Sequence, residues 1–341
     1  MTADREPLRT FDDALTALAA GFPADPGAAA RHHRRLARLL HPDTAPPDRA
    51  AQANAAFAEL GRAWQHRSHR LIGAPRHTYV LGDILATGDL ATLHTAHTAA
   101  DRRAVVLKIP RRPRDNDLMT HEAAVLTRLD TVGEPRHRAY APTLVESFRQ
   151  RSADGTERVI NVLEPLTGFL PLTEVAAAHP AGLDPRDAAW MWRRLLVALG
   201  WAHRARLVHG AVFPEHVLIH PEAHGLVLVD WCYATAVGTH LPVLVDRHTD
   251  RHHDGYPPEV HHRGPATAAT DIHLASACVR DLMGDQAPPP LRAFLRGCLL
   301  PSPEARPHDA WALLAELDDV LERLYGPRTF RPFTRPAARA G

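Results

Sequence analysis

Cysteine is scarce in this sequence: its 341 residues hold three, Cys232, Cys278 and Cys298, widely spaced and with no CxxC pair. That excludes a cysteine zinc module and a disulfide framework, and it suits a reducing compartment. Long apolar runs are missing too. None approaches the roughly 20 residues that span a bilayer, and the polar, mixed-charge N-terminus is unlike a signal peptide. There is no surplus of one charge sign: the formal net charge is +1, so no global field points to nucleic acid or a membrane. No internal repeat is visible. These absences predict a soluble cytoplasmic protein without nucleic-acid or membrane partners.

What is present is histidine, 24 residues, enough that mild acid would turn a near-neutral chain strongly basic. Ala, Arg and Pro are abundant in the manner of high-GC coding, which lowers the weight of any single Arg or Pro. With 45% hydrophobic residues the chain can build one large domain or two unequal ones.

The pattern opens on helices. "FDDALTALAA" at 11–20 is amphipathic. Residues 26–40 form a second helix, with Asp25 as N-cap, Pro26 at the first helical position, and Leu36, Leu39 and Leu40 on its apolar face. A loop, "HPDTAPPD", follows. A third helix over about 48–64 buries Phe57, Leu60 and Trp64 at helical spacing. The basic stretch 67–77 reads as a linker. Strands begin at Tyr79, in "YVLGDILATG", "TLHTAHTA" and "AVVLKIP", then a helix, "LMTHEAAVLTRL", then "PTLVESF" and "ERVINVLEPL" joined by an Asp154-Gly155 turn. Beyond residue 184 helices dominate, opening on an Asp-Pro cap. The Arg- and Pro-rich end, 327–341, reads as a disordered tail.

Two resemblances arise from these motifs. Residues 10–66 resemble a J domain, the module of DnaJ-type co-chaperones, on the strength of the basic helix, the triplet His41-Pro42-Asp43 and Phe57 in the next helix. The resemblance implies an Hsp70-type partner (DnaK). Its acidic surface would be met by Arg31, Arg34, Arg35 and Arg38, and its ATP hydrolysis triggered by His41, Pro42 and Asp43. The residue types suit this, since one-sided positive charge steers an acidic partner and proline stiffens the loop. The glycine-phenylalanine segment and zinc repeats of full DnaJ proteins are absent, so an unknown client would be chosen by the rest of the chain.

Residues 78–326 are similar to a protein kinase. The motifs are "AVVLKIP" with Lys108, "HEAAVL" with Glu122, "VLEPL" with Glu164 and Leu166, "LVLVDWC" with Asp230, "YPPEV" with Arg306 as its partner, and "ATDIH" with Asp271. This implies an α+β bilobal fold, an N-lobe sheet plus helix C and a helical C-lobe, preceded by a small all-α J-like module. It implies ATP held by Gly88, Lys108, Glu122, the Glu164 carbonyl, the Leu166 amide and Asp230, with Asp230 and His216 as metal ligands for Mg or Mn.

The departures fall at the chemistry. In "LVHGAVFPEHVLI", Ala211 stands where the family has its catalytic Asp, and His216 where it has a metal-binding Asn. An imidazole nitrogen favours zinc or manganese over magnesium. The glycine loop keeps only Gly88, with Ala86 and Ala91 at the outer positions and Asp89 adding negative charge. Val106 replaces the small residue above the adenine. The expected reading is a co-chaperone or adaptor whose kinase-like part binds ATP at most and does not transfer phosphate. The alternative is an atypical serine/threonine kinase in which Glu215 replaces the base. A His-rich stretch (His248, His252, His253, His261, His262, with Asp250 and Asp254) reads as a solvated loop ahead of a zinc site.

Overall fold

The computed structural model describes residues 8–23, 26–152, 154–245 and 255–334, leaving the side chains of Pro26, Pro47 and 65–70 aside. It is mixed α and β. The chain begins with α1 (Phe11–Ala19), α2 (Pro26–Leu39) and α3 (Ala50–Arg70). Phe11, Ala14 and Leu18 of α1, Leu36 of α2 with Leu40 just past its end, and Ala53, Ala56 and Leu60 of α3 close into one small core. Each set recurs at three- or four-residue intervals, so each helix turns one stripe inward. Phe57 and Trp64 pack at its margin, half-buried. The α2 cap expected at Asp25 lies outside the described residues.

The start of α1 carries a reciprocal cap: the Asp13 N–H donates to Thr10 Oγ1 at 3.1 Å, and the Thr10 N–H to Asp13 Oδ2 at 2.9 Å. Thr10→Ala is expected to lower stability by about 1 kcal/mol. Chemical denaturation reads this, and an unchanged midpoint would mean the cap contributes nothing.

The expected linker at 67–77 is different in the structure. Helix α3 runs to Arg70, and β1 (Leu71–Gly73) pairs antiparallel with β2 (Thr78–Thr87), Leu71 opposite Val80. Ile72 supplies the reason: it is an apolar residue that the sheet can bury. Next come β3 (Ala91–Thr98), β4 (Ala104–Pro110), α4 (Asn116–Val132), β5 (Leu144–Arg151) and β6 (Glu157–Leu163). They form a six-stranded sheet in the order β1-β2-β3-β4-β6-β5. The β5–β6 turn puts Gly155 at φ 81°, a conformation suited to glycine, beside Asp154, whose carboxylate accepts the Thr156 N–H at 2.9 Å.

Strand alternation assigns the faces. Val105 and Leu107 of β4, with Ile160 and Val162 of β6, join one core layer. Val106, Val159 and Leu163 face the other way, into the largest core, shared with Met119, Leu126 and Leu129 of α4. Lys108 and Asn161, cross-strand partners, fall on this second face.

The remainder is mainly helical: β7 (Leu170–Pro171), α5 (Leu172–Ala178), α6 (Pro185–Arg204), β8 (Leu207–Val208), β9 (Val217–His220), β10 (Gly225–Leu228), β11 (Thr235–Ala236), α7 (Pro258–His261), α8 (Ala268–Met283), α9 (Pro289–Cys298) and α10 (Ala310–Tyr325). The expected Asp-Pro cap opens α6, where Asp184 accepts the Arg186 N–H at 2.9 Å. Trp192, Leu195, Leu196 and Leu199 of α6 are buried with Ile272 and Ala275 of α8 and Leu313 and Leu317 of α10. No helix among the described residues is long and apolar enough to cross a membrane.

The stretch expected as a tail is, as far as residue 334, a strap against α6. Phe333 is buried beside Trp190 and His179, and Arg331 meets the Asp187 carboxylate at 3.0 and 3.1 Å. Composition suggested disorder, but two aromatics and one forked ion pair hold the segment down. Residues 335–341 lie outside the described residues.

Candidate functional site

The first candidate is the turn between α2 and α3. His41 caps a single 3-10 turn, Pro42–Thr44, its Nδ1 accepting the Asp43 N–H at 3.2 Å. The imidazole rests edge-on against Phe57, with 5.1 Å between ring centroids. The Thr44 hydroxyl donates to the Arg38 and His41 carbonyls, both at 3.0 Å, which ties the turn to the end of α2. The Asp43 carboxylate is left 87% exposed. Arg31, Arg34, Arg35 and Arg38 are all exposed on α2. Arg35 also reaches back to the Leu8 carbonyl at 2.6 Å, so part of its donor capacity anchors the chain start.

The second candidate is the buried polar cluster between the α4 side of the sheet and the segment after β10. Met119, Glu122, Leu126 and Leu129 share one face of α4, so the spacing that buries the three apolar residues carries Glu122 in with them. There Lys108 Nζ donates to Glu122 Oε1 at 2.7 Å and also pairs with Asp230 Oδ1. Asn161, fully buried, donates to Glu122 Oε2 and to the Met119 carbonyl, both at 3.0 Å. Burial works against the Lys108 charge, but Asp230, Cys232 and Glu122 more than reverse it, so its pKa lies well above the ordinary value. Burial alone would raise the Asp230 pKa, and Lys108 and His216 instead hold it far below the usual carboxylate range. Asp230 sits at φ 63°, ψ 49°, a left-handed conformation that costs an ordinary residue energy and here aims the carboxylate at Lys108.

The loop 209–216 is held from below. Asp271, completely buried on α8, accepts the His209 and Gly210 N–H groups at 2.8 Å each and His203 Nε2 at 2.9 Å. His209 Nε2 meets the Val229 carbonyl at 2.8 Å, while its Nδ1 accepts the Ala211 N–H at 3.3 Å. Ala211 is fully buried. Gly210, at φ 73°, lies so close to Leu241 that an added Cβ would collide with it. His216 Nδ1 meets the Ala211 carbonyl at 2.8 Å and its Nε2 lies 3.2 Å from Asp230 Oδ2. Glu215 is half-buried, and its charge bears on the Tyr256 phenol and the Cys278 thiol. Farther along, Arg306 forks onto Glu259 at 2.7 and 2.8 Å.

Other sequence candidates lie outside this cluster. Gly88 sits in the β2–β3 turn, its N–H bonded to the Ala91 carbonyl at 2.9 Å, and a Cβ there would meet only that oxygen, at 3.6 Å. An alanine would fit, so this conformation does not itself require glycine. Glu164 donates its N–H to the Thr143 carbonyl at 3.0 Å and pairs its carboxylate with Arg103. Leu166 follows, half-buried. Of the histidine cluster, His248, His252, His253, Asp250 and Asp254 lie outside the described residues, and His261 and His262 are exposed.

The donor set fits magnesium poorly. Glu122, Asp230 and Cys232 do converge, with ligand atoms within 4.8 Å of one another. The Lys108 ammonium already lies among them, bonded to both carboxylates and 4.0 Å from the Cys232 sulfur. On its other side Asp230 faces an imidazole nitrogen, where magnesium would demand oxygen. The cluster is the counter-charge of a buried lysine.

Reading the sequence missed three contributors: Asn161, Cys232 and His121, the last of which meets the Ala234 carbonyl at 2.7 Å and ties α4 to the segment after Asp230. A lone Asn in the apolar run "RVINVL" was the available signal for the first. Another signal is sharper: Lys108 is the only lysine in the chain, the other 39 basic residues of Lys and Arg type being arginine. A compact ammonium on a flexible stem suits a crowded two-carboxylate site better than a planar guanidinium. No protein-family model matches the chain.

Proposed function

We propose that this protein is a J-domain-type co-chaperone or adaptor. In this reading His41, Pro42 and Asp43 engage an Hsp70-type chaperone, and a kinase-like bilobal part, residues 78–326, binds ATP without transferring its phosphate. The observation that carries it is the presentation of the turn. A proline-stiffened loop at the end of an exposed arginine face offers an imidazole braced on Phe57 and a largely exposed carboxylate. An acidic surface would be steered to the arginines, and the turn would then reach the partner in one geometry.

For the larger part, the support is a single buried lysine held between Glu122 and Asp230 on the α4 side of the sheet. Phosphotransfer is disfavoured by Ala211, which has no group to accept a proton and lies buried beneath neighbouring residues. The kinase alternative would require a displaced base, for which Glu215, half-buried in the same loop, is the candidate.

The test is the ATPase rate of purified Hsp70 with the full chain added. Stimulation is expected, and His41→Gln should abolish it while leaving the chain folded, as judged by its circular dichroism spectrum. Equal stimulation by the variant would refute the co-chaperone reading. ATP titration with and without Mg or Mn, with Asp230→Ala as control, tests the second part: heat of binding that disappears in the variant supports it, and no heat refutes it.

A further inference from the structure

Helix α4 buries one face in the core and turns the other outward, and the outer face is built mainly of small residues. Ala124, Thr127 and Thr131 are exposed on it, with Arg128 among them. The threonine hydroxyls are occupied by their own helix, Thr127 donating to the Ala123 carbonyl at 2.8 Å and Thr131 to the Thr127 carbonyl at 2.9 Å. What they leave for a neighbour is mainly methyl surface, and Val132, at the end of the row, is 60% exposed. A groove of about 940 Å³ runs between this face and Leu144 and Val145 at the start of β5, an edge strand of the sheet. Pro75 and Arg76 of the β1–β2 turn complete its lining.

Two guanidiniums lie in the wall of this groove, Arg76 and Arg128. Among the described residues neither meets a carboxylate. Arg76 donates to the Val145 carbonyl at 3.1 Å and Arg128 to the Ala205 carbonyl at 2.9 Å, which leaves each fork with further N–H donors. The carboxylate that lines the groove, Glu146, is buried and already accepts the Tyr79 hydroxyl at 2.5 Å and the Arg76 backbone N–H at 3.3 Å. The groove is thus largely apolar and positive in sign, and an acidic helix with small residues on its contact face would fit it.

Such a helix is present on the same chain. Helix α10 buries Leu313, Leu317 and Leu321, and its opposite face carries Ala312, Ala315, Glu316, Asp319 and Glu322, all exposed, with Arg323 beside them. None of the three carboxylates has an ion pair among the described residues. We propose that α10 of one copy of this protein docks in the α4 groove of another, its carboxylates meeting Arg76 and Arg128. The lengths agree: at 1.5 Å per residue, 124–132 covers about 12 Å and 312–322 about 15 Å. Alanines and threonines at the contact let the two helices approach to ordinary packing distance. Within one chain α10 packs on α6 and α9, so its acidic face is open to a second copy. The contact joins two different surfaces, so it is head-to-tail, and assembly continues past a dimer unless a ring closes.

The test is sedimentation equilibrium of the full chain over a concentration series at low and at high salt. The average mass is expected to rise with concentration at low salt and to fall toward that of one chain at high salt, since exposed ion pairs are screened. Asp319→Arg should weaken association about tenfold, and Arg128→Glu by a similar factor, because each sets like charges against each other. The double variant should recover part of the loss, the swapped pair being opposite in sign again. Asp319→Arg is the cleaner probe. Its side chain is exposed and makes no hydrogen bond or ion pair among the described residues, whereas Arg128 also holds the Ala205 carbonyl. A circular dichroism spectrum like the parent's checks that each variant is folded. A chain that stays monomeric throughout, association untouched by Asp319→Arg, or a double variant no tighter than the singles would overturn the interface.

Discussion

Acidification from about pH 7 to about pH 5 is expected to remove about 3 kcal/mol of folding stability, through two histidines that the fold keeps neutral. His209 is the larger contributor. Burial first, then the neighbouring His216, outweigh the opposing field of Asp271 and bring its pKa down to about 4. Geometry agrees: one ring nitrogen faces the Val229 carbonyl and the other accepts the Ala211 N–H, so a second proton would have no acceptor and would break that bond. His273 is also brought down to about 4, by burial and by Arg306. In an unfolded chain each would titrate near 6.5. The unfolded state therefore takes up protons first, and the stabilisation is complete above about pH 6.5 and lost progressively as the pH falls toward about 4. His209 contributes about 2 kcal/mol of the loss at pH 5, and the less buried His273 about 1 after allowance for solvent screening. Denaturant titrations at the two pH values measure it directly. A stability flat across that interval would mean that neither ring is held as described.

The second large effect is at Lys108. Lys108→Met is expected to destabilise the protein by about 3–5 kcal/mol, because it strands the carboxylates of Glu122 and Asp230 without their common cation. Asn161 would still donate to Glu122, and His216 would still face Asp230. Neither replaces the ammonium between them. Adding Glu122→Gln to Lys108→Met should recover a substantial part of the loss, since the buried charge left behind is then smaller. The pH response should also change in the carboxylate range. In the parent, Asp230 has a depressed pKa, so its contribution is present above about pH 4 and lost as the pH falls further. In Lys108→Met the cation that depresses it is gone, so this part of the acid loss should shrink. A single variant with parental stability would show that the ion cluster contributes nothing net to the fold.

Much of the local structure is legible in the sequence. The alternation in "AVVLKIP" puts Lys108 opposite Leu107, and the three- and four-residue recurrence in "LMTHEAAVLTRL" puts Glu122 beside Met119 and Leu126. The Asp154-Gly155 turn and the Asp184-Pro185 cap are likewise set by local conformational preference. Where composition was the guide, it misled. The basic stretch around residue 70 became helix and strand because Ile72 could be buried, and the Arg- and Pro-rich end became a strap because Phe330, Arg331 and Phe333 found a surface.

The sequence by itself determined most of the elements, their buried faces and the turn at His41-Pro42-Asp43, since all of these follow from residue type and spacing along the backbone. Only the tertiary structure decided which groups meet. Lys108 and Asp230 are 122 positions apart, Asp187 and Arg331 are 144 apart, and Asp271 reaches back 62 to the His209 N–H. No local period relates residues at such distances. Their contacts follow from the packing of whole elements, which places a charge wherever the burial of its apolar neighbours carries it.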